Sequence, residues 1–302
     1  MYPFAVGRLR CAVISDGQMA PPWEPPLASF FTPAAGVPSR ELRAAIAAEG
    51  RPADTLACGY NCVLVETSAG AAVIDTGLGP RFLGYGPPVE PLVGRLGAGL
   101  AAAGVSAAEL AAVVFTHLHQ DHCRGAAWSG ELTFPRATGF AHAAEVAFWS
   151  GPAAARDTGR EHLESAREAI RLLGDRLRPF EDDAEILPGV RVVDAAGHTP
   201  GHSAVLLSGG GERLLCVGDL FYDPLQLSHP PVVHPVGSRP RPGRPGPAAA
   251  TGPGGRRASA CARLPHALSR PRHDRQARRR LPVAAAPLVS PKLADKPEVR
   301  GL

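Results

Sequence analysis

The segment THLHQDHCRG, residues 116–125, follows directly on the apolar run ELAAVVF and constrains this chain more than any other feature. His117, His119, Asp121 and His122 fall within six positions of one another. Several imidazole nitrogens and a carboxylate therefore sit on a loop at the end of a buried strand, a donor set suited to a borderline-soft divalent cation. His117 and His119, two apart in extended chain, face the same side. Asp121 and His122 lie past the bend, within reach of a second cation beside the first. A loop of solvated histidines is the alternative, but ligand spacing this dense is far more specific than a lone histidine.

The surrounding pattern alternates strands and helices. RLRCAVISDG, YNCVLVETS and GAAVIDTG read as strands, the last two as a pair of apolar, β-branched runs bounded by glycine. PSRELRAAIAAEG opens on a cap signal and ends in glycine, which predicts a short helix. Residues 89–104, VEPLVGRLGAGLAAAG, keep a helical pattern despite their glycines, and VSAAELAAVVFTH passes from a helical turn into the strand that ends at the histidines. RATGFAHAAEVAFW predicts a strand followed by a helix start, with His142 at that start and outside the ligand set. REHLESAREAIRLLGD is amphipathic with a glycine stop. LPGVRVVDAAGHTPGHSAVLLS and ERLLCVGDLFYD each predict a strand or strand pair delivering polar residues at its end. The alternation places the chain in the α/β class.

With 302 residues and 45% apolar side chains, the chain can bury a sizeable core. No apolar run reaches the roughly 18 residues of a membrane span, and MYPFAVGRLRC lacks the pattern of a secretory signal. The expectation is a cytoplasmic protein with no membrane partner. Cys11, Cys58, Cys62, Cys123, Cys216 and Cys261 are scattered, which predicts reduced thiols and no disulfide framework. Cys58 and Cys62 make a C-x3-C spacing, but Cys62 falls in a strand-like run and a second pair is missing, so buried structural thiols are the better reading.

The net charge of +4 conceals an asymmetry: from Ser228 onward 15 Lys or Arg stand against 3 Asp or Glu, and before it 17 against 25. The same tail holds 14 of the 32 prolines and no periodic element. Runs such as RQARRR suit a nucleic acid or an acidic partner. Nucleic acid is nonetheless disfavoured, because the basic residues are confined to this unpatterned segment.

HLHQDH matches the H-x-H-x-D-H motif, and over about residues 7–230 the chain resembles the metallo-β-lactamase-fold hydrolases. AVIDTGLG resembles the family segment before the cluster, which implies that Asp75 orients ligand histidines without touching metal. AAGHTPGHS resembles the TPGHTxGH segment of glyoxalase-II-like and lactonase-like members, implying His198 as a ligand and His202 just outside the ligand set. VGDLFYD resembles the segment carrying a bridging carboxylate, here Asp219. The resemblance thus implies two zinc ions per chain, other divalent metals remaining open. One would be held by His117, His119 and His198, the second by Asp121, His122 and the bridging Asp219. Tyr222 stands where lactonase-like relatives place a tyrosine that hydrogen-bonds the substrate carbonyl; a packing aromatic is the alternative.

The fold this implies is a four-layer αββα sandwich with metals held by loops at one edge of two packed sheets. Residues 1–228 would form the hydrolase domain and 229–302 an atypical tail. The activity implied is attack by a metal-bridged hydroxide, with Asp121 holding the second metal and the hydroxide. ISDG followed by PPWEPPLASFFTP, together with GDLFYDPLQLSHP, resembles the lactonase and methyl-parathion-hydrolase-like branch. Its substrates are small molecules: lactones, esters or organophosphates. A glyoxalase-II-like thioester hydrolase and a non-catalytic metal-binding remnant are the alternatives, and a dimer is one open oligomeric state.

Family members draw one more histidine for the second metal from near the C-terminus. His229, His234, His266 and His273 lie among Pro, Gly and Arg with no apolar strand beside them. The tail's excess of Ala, Arg, Gly and Pro is what a GC-rich gene yields when translated out of frame. Permitted codons for CARLPHALSRPRHDRQARRRLPVAAAP, shifted by one nucleotide, read AHAFPTPCPGLVTTGKRGAGYRWQPL, which resembles a family C-terminus. The tail is accordingly expected to be disordered or out of frame, leaving the fold's C-terminal part incomplete.

Overall fold

The computed structural model describes residues 1–18, 32–33, 39–48, 50, 59–80, 93–222, 226 and 232–233. The strands, in chain order, are β1 (Tyr2–Val6), β2 (Leu9–Gln18), β3 (Thr32–Pro33), β4 (Gly59–Thr67), β5 (Gly70–Ile74), β6 (Ala112–Val114), β7 (Ala127–Trp128) and β8 (Glu131–Leu132). They continue with β9 (Thr138–His142), β10 (Leu177–Phe180), β11 (Glu185–Leu187), β12 (Val190–Asp194), β13 (Ser203–Gly209), β14 (Glu212–Cys216) and β15 (Val232–Val233). The helices are α1 (Ser39–Ala48), α2 (Leu96–Ala102), α3 (Gln120–Cys123), α4 (Ala143–Ser150), α5 (Ala154–Asp157) and α6 (Arg160–Leu173).

Seven strands form the larger sheet, in the order β1-β2-β4-β5-β6-β9-β10. Its first four strands pair antiparallel and the rest parallel. Parallel neighbours need long crossovers, which the segments containing α2 and α4–α6 supply. The smaller sheet is antiparallel, β11-β12-β13-β14. Side chains alternate across the larger sheet as a period of two requires. Leu64, Val73 and Val113 face a helical layer that includes Leu100, Trp149, Ala166 and Leu173. Their neighbours Val65, Ile74 and Val114 face Val192, Val205 and Leu207 of the smaller sheet. β6 is buried at all three residues because both faces of the sheet are covered.

These layers are a helical layer and two packed sheets of the expected αββα sandwich. On the outer side of the smaller sheet Val193, Ala204 and Leu206 form a further buried cluster. The second helical layer of the expected sandwich, and the tail from residue 234, lie outside the described residues. β15 pairs with β3, Val232 opposite Pro33 and Val233 opposite Thr32. Among the described residues no helix is long and apolar enough to cross a membrane.

The pattern over residues 89–104 overstates its helix. α2 begins only at Leu96, because Gly94 adopts φ +79 and a Cβ there would lie 2.6 Å from Pro80 Cα. The glycine marks a close chain approach ahead of the helix; residues 89–92 lie outside the described set. The other glycine signal is the stop after α6, where Gly174 has φ +49. Cys11, Cys62 and Cys123 are buried free thiols, and burial pushes Cys62 and Cys123 well above the usual thiol range. Cys58 and Cys261 are outside the described residues.

Candidate metal centre

β5 and β6 run parallel and end side by side, and the ligand loop leaves from the end of β6. Asp75, just past β5, takes φ +57, a left-handed conformation that aspartate tolerates. Its Oδ1 accepts the Thr116 N–H at 2.8 Å, and its Oδ2 accepts the Thr116 hydroxyl at 2.8 Å. His122 Nδ1 lies 2.8 Å from the same Oδ2. The ligand loop also docks through backbone: Thr76 N–H donates to His122 O at 2.8 Å and Gly125 N–H to Gly77 O at 3.0 Å. A side chain on Gly125 would strike Thr76 O, with a Cβ only 2.0 Å away.

These contacts fix which histidine nitrogens face inward. The Thr116 hydroxyl gives its proton to Asp75, so its oxygen accepts from His117 Nδ1, 3.1 Å away. The lone pair of His117 then lies on Nε2, 3.0 Å from His119 Nδ1. His198 Nε2 approaches that same His119 Nδ1 at 2.8 Å. One donor group is therefore His117, His119 and His198; a second is His117, His122 and Asp219. Within each, the ligand atoms lie within 4.8 Å of one another.

Asp219 faces both halves. Its Oδ1 is 3.1 Å from His122 Nε2 and its Oδ2 3.3 Å from His198 Nε2. Asp121 sits at the margin, Oδ2 3.6 Å from His122 Nε2, and belongs to neither tight group. His202 lies behind Asp219: its Nδ1–H donates to Ala195 O at 3.1 Å, and its Nε2 accepts the Asp219 N–H at 3.0 Å. The Tyr222 hydroxyl is 3.2 Å from His198 Nδ1.

The electrostatics divide the site. Burial, followed by the neighbouring imidazoles, holds His117 and His119 well below the usual histidine range, so both are neutral lone-pair donors. For His122 burial acts in the same direction, but Asp219, Asp121 and Asp75 outweigh it and raise the ring well above that range. Burial alone would raise Asp219; His122, then His198 and His202, hold it far below the carboxylate range.

Three ring nitrogens converge at 2.8–3.0 Å, a separation that either a shared proton or a divalent cation between them satisfies. Tetrahedral zinc with bonds of ~2.05 Å sets its nitrogens about 3.3 Å apart, so ring shifts of a few tenths of an ångström admit it. The donor set fits a divalent cation.

Several neighbours of the centre escaped the sequence reading. Glu145 is fully buried beside the ligand loops. His162 on α6 accepts the Gln120 N–H at 3.2 Å, and its ring centroid lies 4.3 Å from that of His119. Its signal was its place on the stripe shared with the buried Ser165, Ala166, Ala169 and Leu173. Asp16, fully buried, holds the loop after β5 by accepting Leu78 N–H at 2.9 Å and Gly79 N–H at 3.1 Å. His142 caps α4, its Nδ1 accepting Ala144 N–H at 3.0 Å, and stands apart from the centre.

Two parallel strand ends carry a histidine-rich loop over a sandwich of two sheets, an α/β arrangement whose clustered side chains could hold a metal ion. The sequence profile of the metallo-beta-lactamase superfamily matches residues 26–264, and the chain belongs to that family. An N-acyl homoserine lactonase from a Bacillus species is 26% identical over 164 residues, covering 48% of this chain and 57% of the relative. The match thus spans little more than half of that enzyme's length.

Among solved structures, AidC, a dizinc quorum-quenching lactonase, superposes with a TM-score of 0.64 at 24% identity, covering 76% of this chain and 77% of its own. The hydrolase AbOPH of the beta-lactamase superfamily gives 0.63 at 22% identity, covering 77% and 78%. A probable metal-dependent hydrolase from Staphylococcus aureus gives 0.58 at 18%, covering 72% and 75%. At these identities the likeness is one of fold.

Proposed function

We propose that the chain is a hydrolase that depends on a pair of divalent cations, zinc in the first instance, and cleaves a lactone, ester or organophosphate. The observation that carries this reading is Asp219, whose two oxygens face His122 at 3.1 Å and His198 at 3.3 Å, as a carboxylate shared between two cations requires. His117, His119 and His198 would hold one cation; His122, Asp121 and the shared Asp219 would hold the other. The C-terminal segment from which family members supply a further histidine lies outside the described residues.

When bound, such a pair supplies a nucleophile from water near neutral pH and Lewis acidity toward the substrate oxygen. The side chains do the remaining work. Asp75 and Thr116 set the tautomers of His122 and His117. Asp121, partly exposed at the margin, orients the incoming water. Tyr222, its hydroxyl 3.2 Å from His198 Nδ1, would hydrogen-bond the substrate carbonyl as negative charge develops there. His202 holds the backbone of Asp219 in place and leaves metal contact to its neighbours.

The Bacillus N-acyl homoserine lactonase, aligned over part of its length, favours a lactone as the substrate class. Metal content and turnover test the proposal together. Two zinc ions per chain with turnover of a lactone or aryl ester support it; one or none without turnover indicates a metal-binding remnant. Faster turnover of a thioester than of any lactone would indicate the glyoxalase-II-like alternative.

A further inference from the structure

The three-histidine half of the centre is assembled from two loops distant in sequence, one carrying His117 and His119, the other His198. The two backbones meet at Ser203 N–H, which donates to Thr116 O at 2.9 Å, and His119 Nδ1 and His198 Nε2 meet at 2.8 Å. The side chain that ties the loops together nearer the ligand positions is Glu145 on α4. Its Oε1 accepts the N–H of Leu118, the residue between the two ligand histidines, at 3.0 Å. Its Oε2 accepts the hydroxyl of Thr199, the residue after His198, at 2.7 Å and the N–H of Gly201 at 2.9 Å. Trp149 Nε1, one turn along the helix, donates to Oε1 at 2.7 Å.

Four donors therefore fill a carboxylate that is 0% exposed, and three of the four come from the ligand loops. Gly201 is shaped for this contact, since a Cβ there would lie 2.4 Å from Glu145 N. A glycine lets the loop backbone reach the carboxylate. The Trp149 ring also stands edge-on to His119, centroids 5.5 Å apart, so one side chain walls a ligand and completes the set of donors to Glu145. An isolated carboxylate costs several kcal/mol to bury, and here both its oxygens are given to holding these loops in register.

We propose that Glu145 is a positioning residue that sets the separation of the His117–His119 loop from His198, and thereby the affinity of this half of the centre for a divalent cation. The proposal rests on the reading of these histidines as ligands. In Glu145→Gln an amide NH2 replaces one oxygen and opposes either Leu118 N–H and Trp149 Nε1–H or Gly201 N–H, so one loop loses its anchor. Thr199→Val removes a single donor on the His198 side.

The test is chelator competition with zinc alone on the full chain, beside the visible spectrum of the cobalt-loaded protein and the melting of the metal-free form. Glu145→Gln should weaken zinc binding at the His117, His119 and His198 half by about 10–100-fold, the range for partners of metal ligands, and shift the cobalt bands, while still melting cooperatively. Thr199→Val should weaken it by about tenfold and decides the matter if Glu145→Gln fails to fold. A folded variant with wild-type zinc affinity and an unchanged cobalt spectrum overturns the positioning role while the metal centre stands. Wild-type protein that binds no zinc removes the ligand reading and this role with it.

Discussion

Asp75 Oδ2 and His122 Nδ1 lie 2.8 Å apart, and the same carboxylate takes both the N–H and the hydroxyl of Thr116. One side chain at the end of β5 thereby orients His122 directly and His117 through Thr116. In Asp75→Asn one oxygen becomes a donor and faces either Thr116 N–H or the Thr116 hydroxyl and His122. Zinc affinity at the His122 half should fall about 10–100-fold, read by chelator competition, with less change at the His117, His119 and His198 half. Equal loss at both halves would contradict the assignment.

The two halves should differ in proton release. His117 and His119 are held low and are already neutral at pH 7, whereas Asp219, Asp121 and Asp75 overcome burial to keep His122 protonated. A metal needs the neutral imidazole, so filling the His122 half expels a proton and its affinity rises with pH. Calorimetry in buffers of different ionisation enthalpy should show about one more proton released by the second zinc than by the first. Equal release would contradict the raised state of His122.

Burial, helped by His198, takes His202 down to about 3. Its folded value is below the unfolded value of about 6.5, so above pH 6.5 both states are neutral and nothing is lost. As pH falls below that, the unfolded chain takes up the proton first, and stability drains away down to about pH 3, by up to ~1.4 kcal/mol per pH unit. His117 and His119 act in the same direction, so the comparison is with His202→Gln. Urea midpoints of the metal-free proteins between pH 7 and 5 should fall less steeply in the variant; identical slopes would rule out a neutral, buried His202.

Gly218 has φ +52, and a Cβ there would lie 2.6 Å from His202 Nε2 and 3.1 Å from Thr116. Gly218→Ala should cost about 1–3 kcal/mol in urea unfolding and displace the backbone of Asp219. A variant as stable as wild type would show that the turn relaxes freely.

The clustered residues were legible because each combines a potential metal-binding type with a strand end: His117 and His119 after β6, His198 after β12, Asp219 after β14. Strands packed in two sheets bring such ends together, so local sequence carried global information. Glu145 was not legible, since a single carboxylate in AHAAEVAFW looks like a solvent-facing helix residue until the Leu118 and Gly201 N–H groups are seen to meet it. Asp16 was similar, because its partners Leu78 and Leu96 are 62 and 80 residues away. The helix expected over residues 89–104 forms over Leu96–Ala102 and starts no earlier among the described residues, because its pattern says nothing of the packing that turns the chain at Gly94.

The central claim is that the histidine cluster holds the metal that makes this chain a hydrolase. Initial rates on lactones, aryl esters and organophosphates, measured for zinc-loaded wild type and His119→Ala, test it most directly. The account predicts turnover of at least one substrate class by wild type and a fall of at least about a hundredfold in the variant, whose three-histidine half loses a ligand. Undiminished turnover by His119→Ala would contradict it.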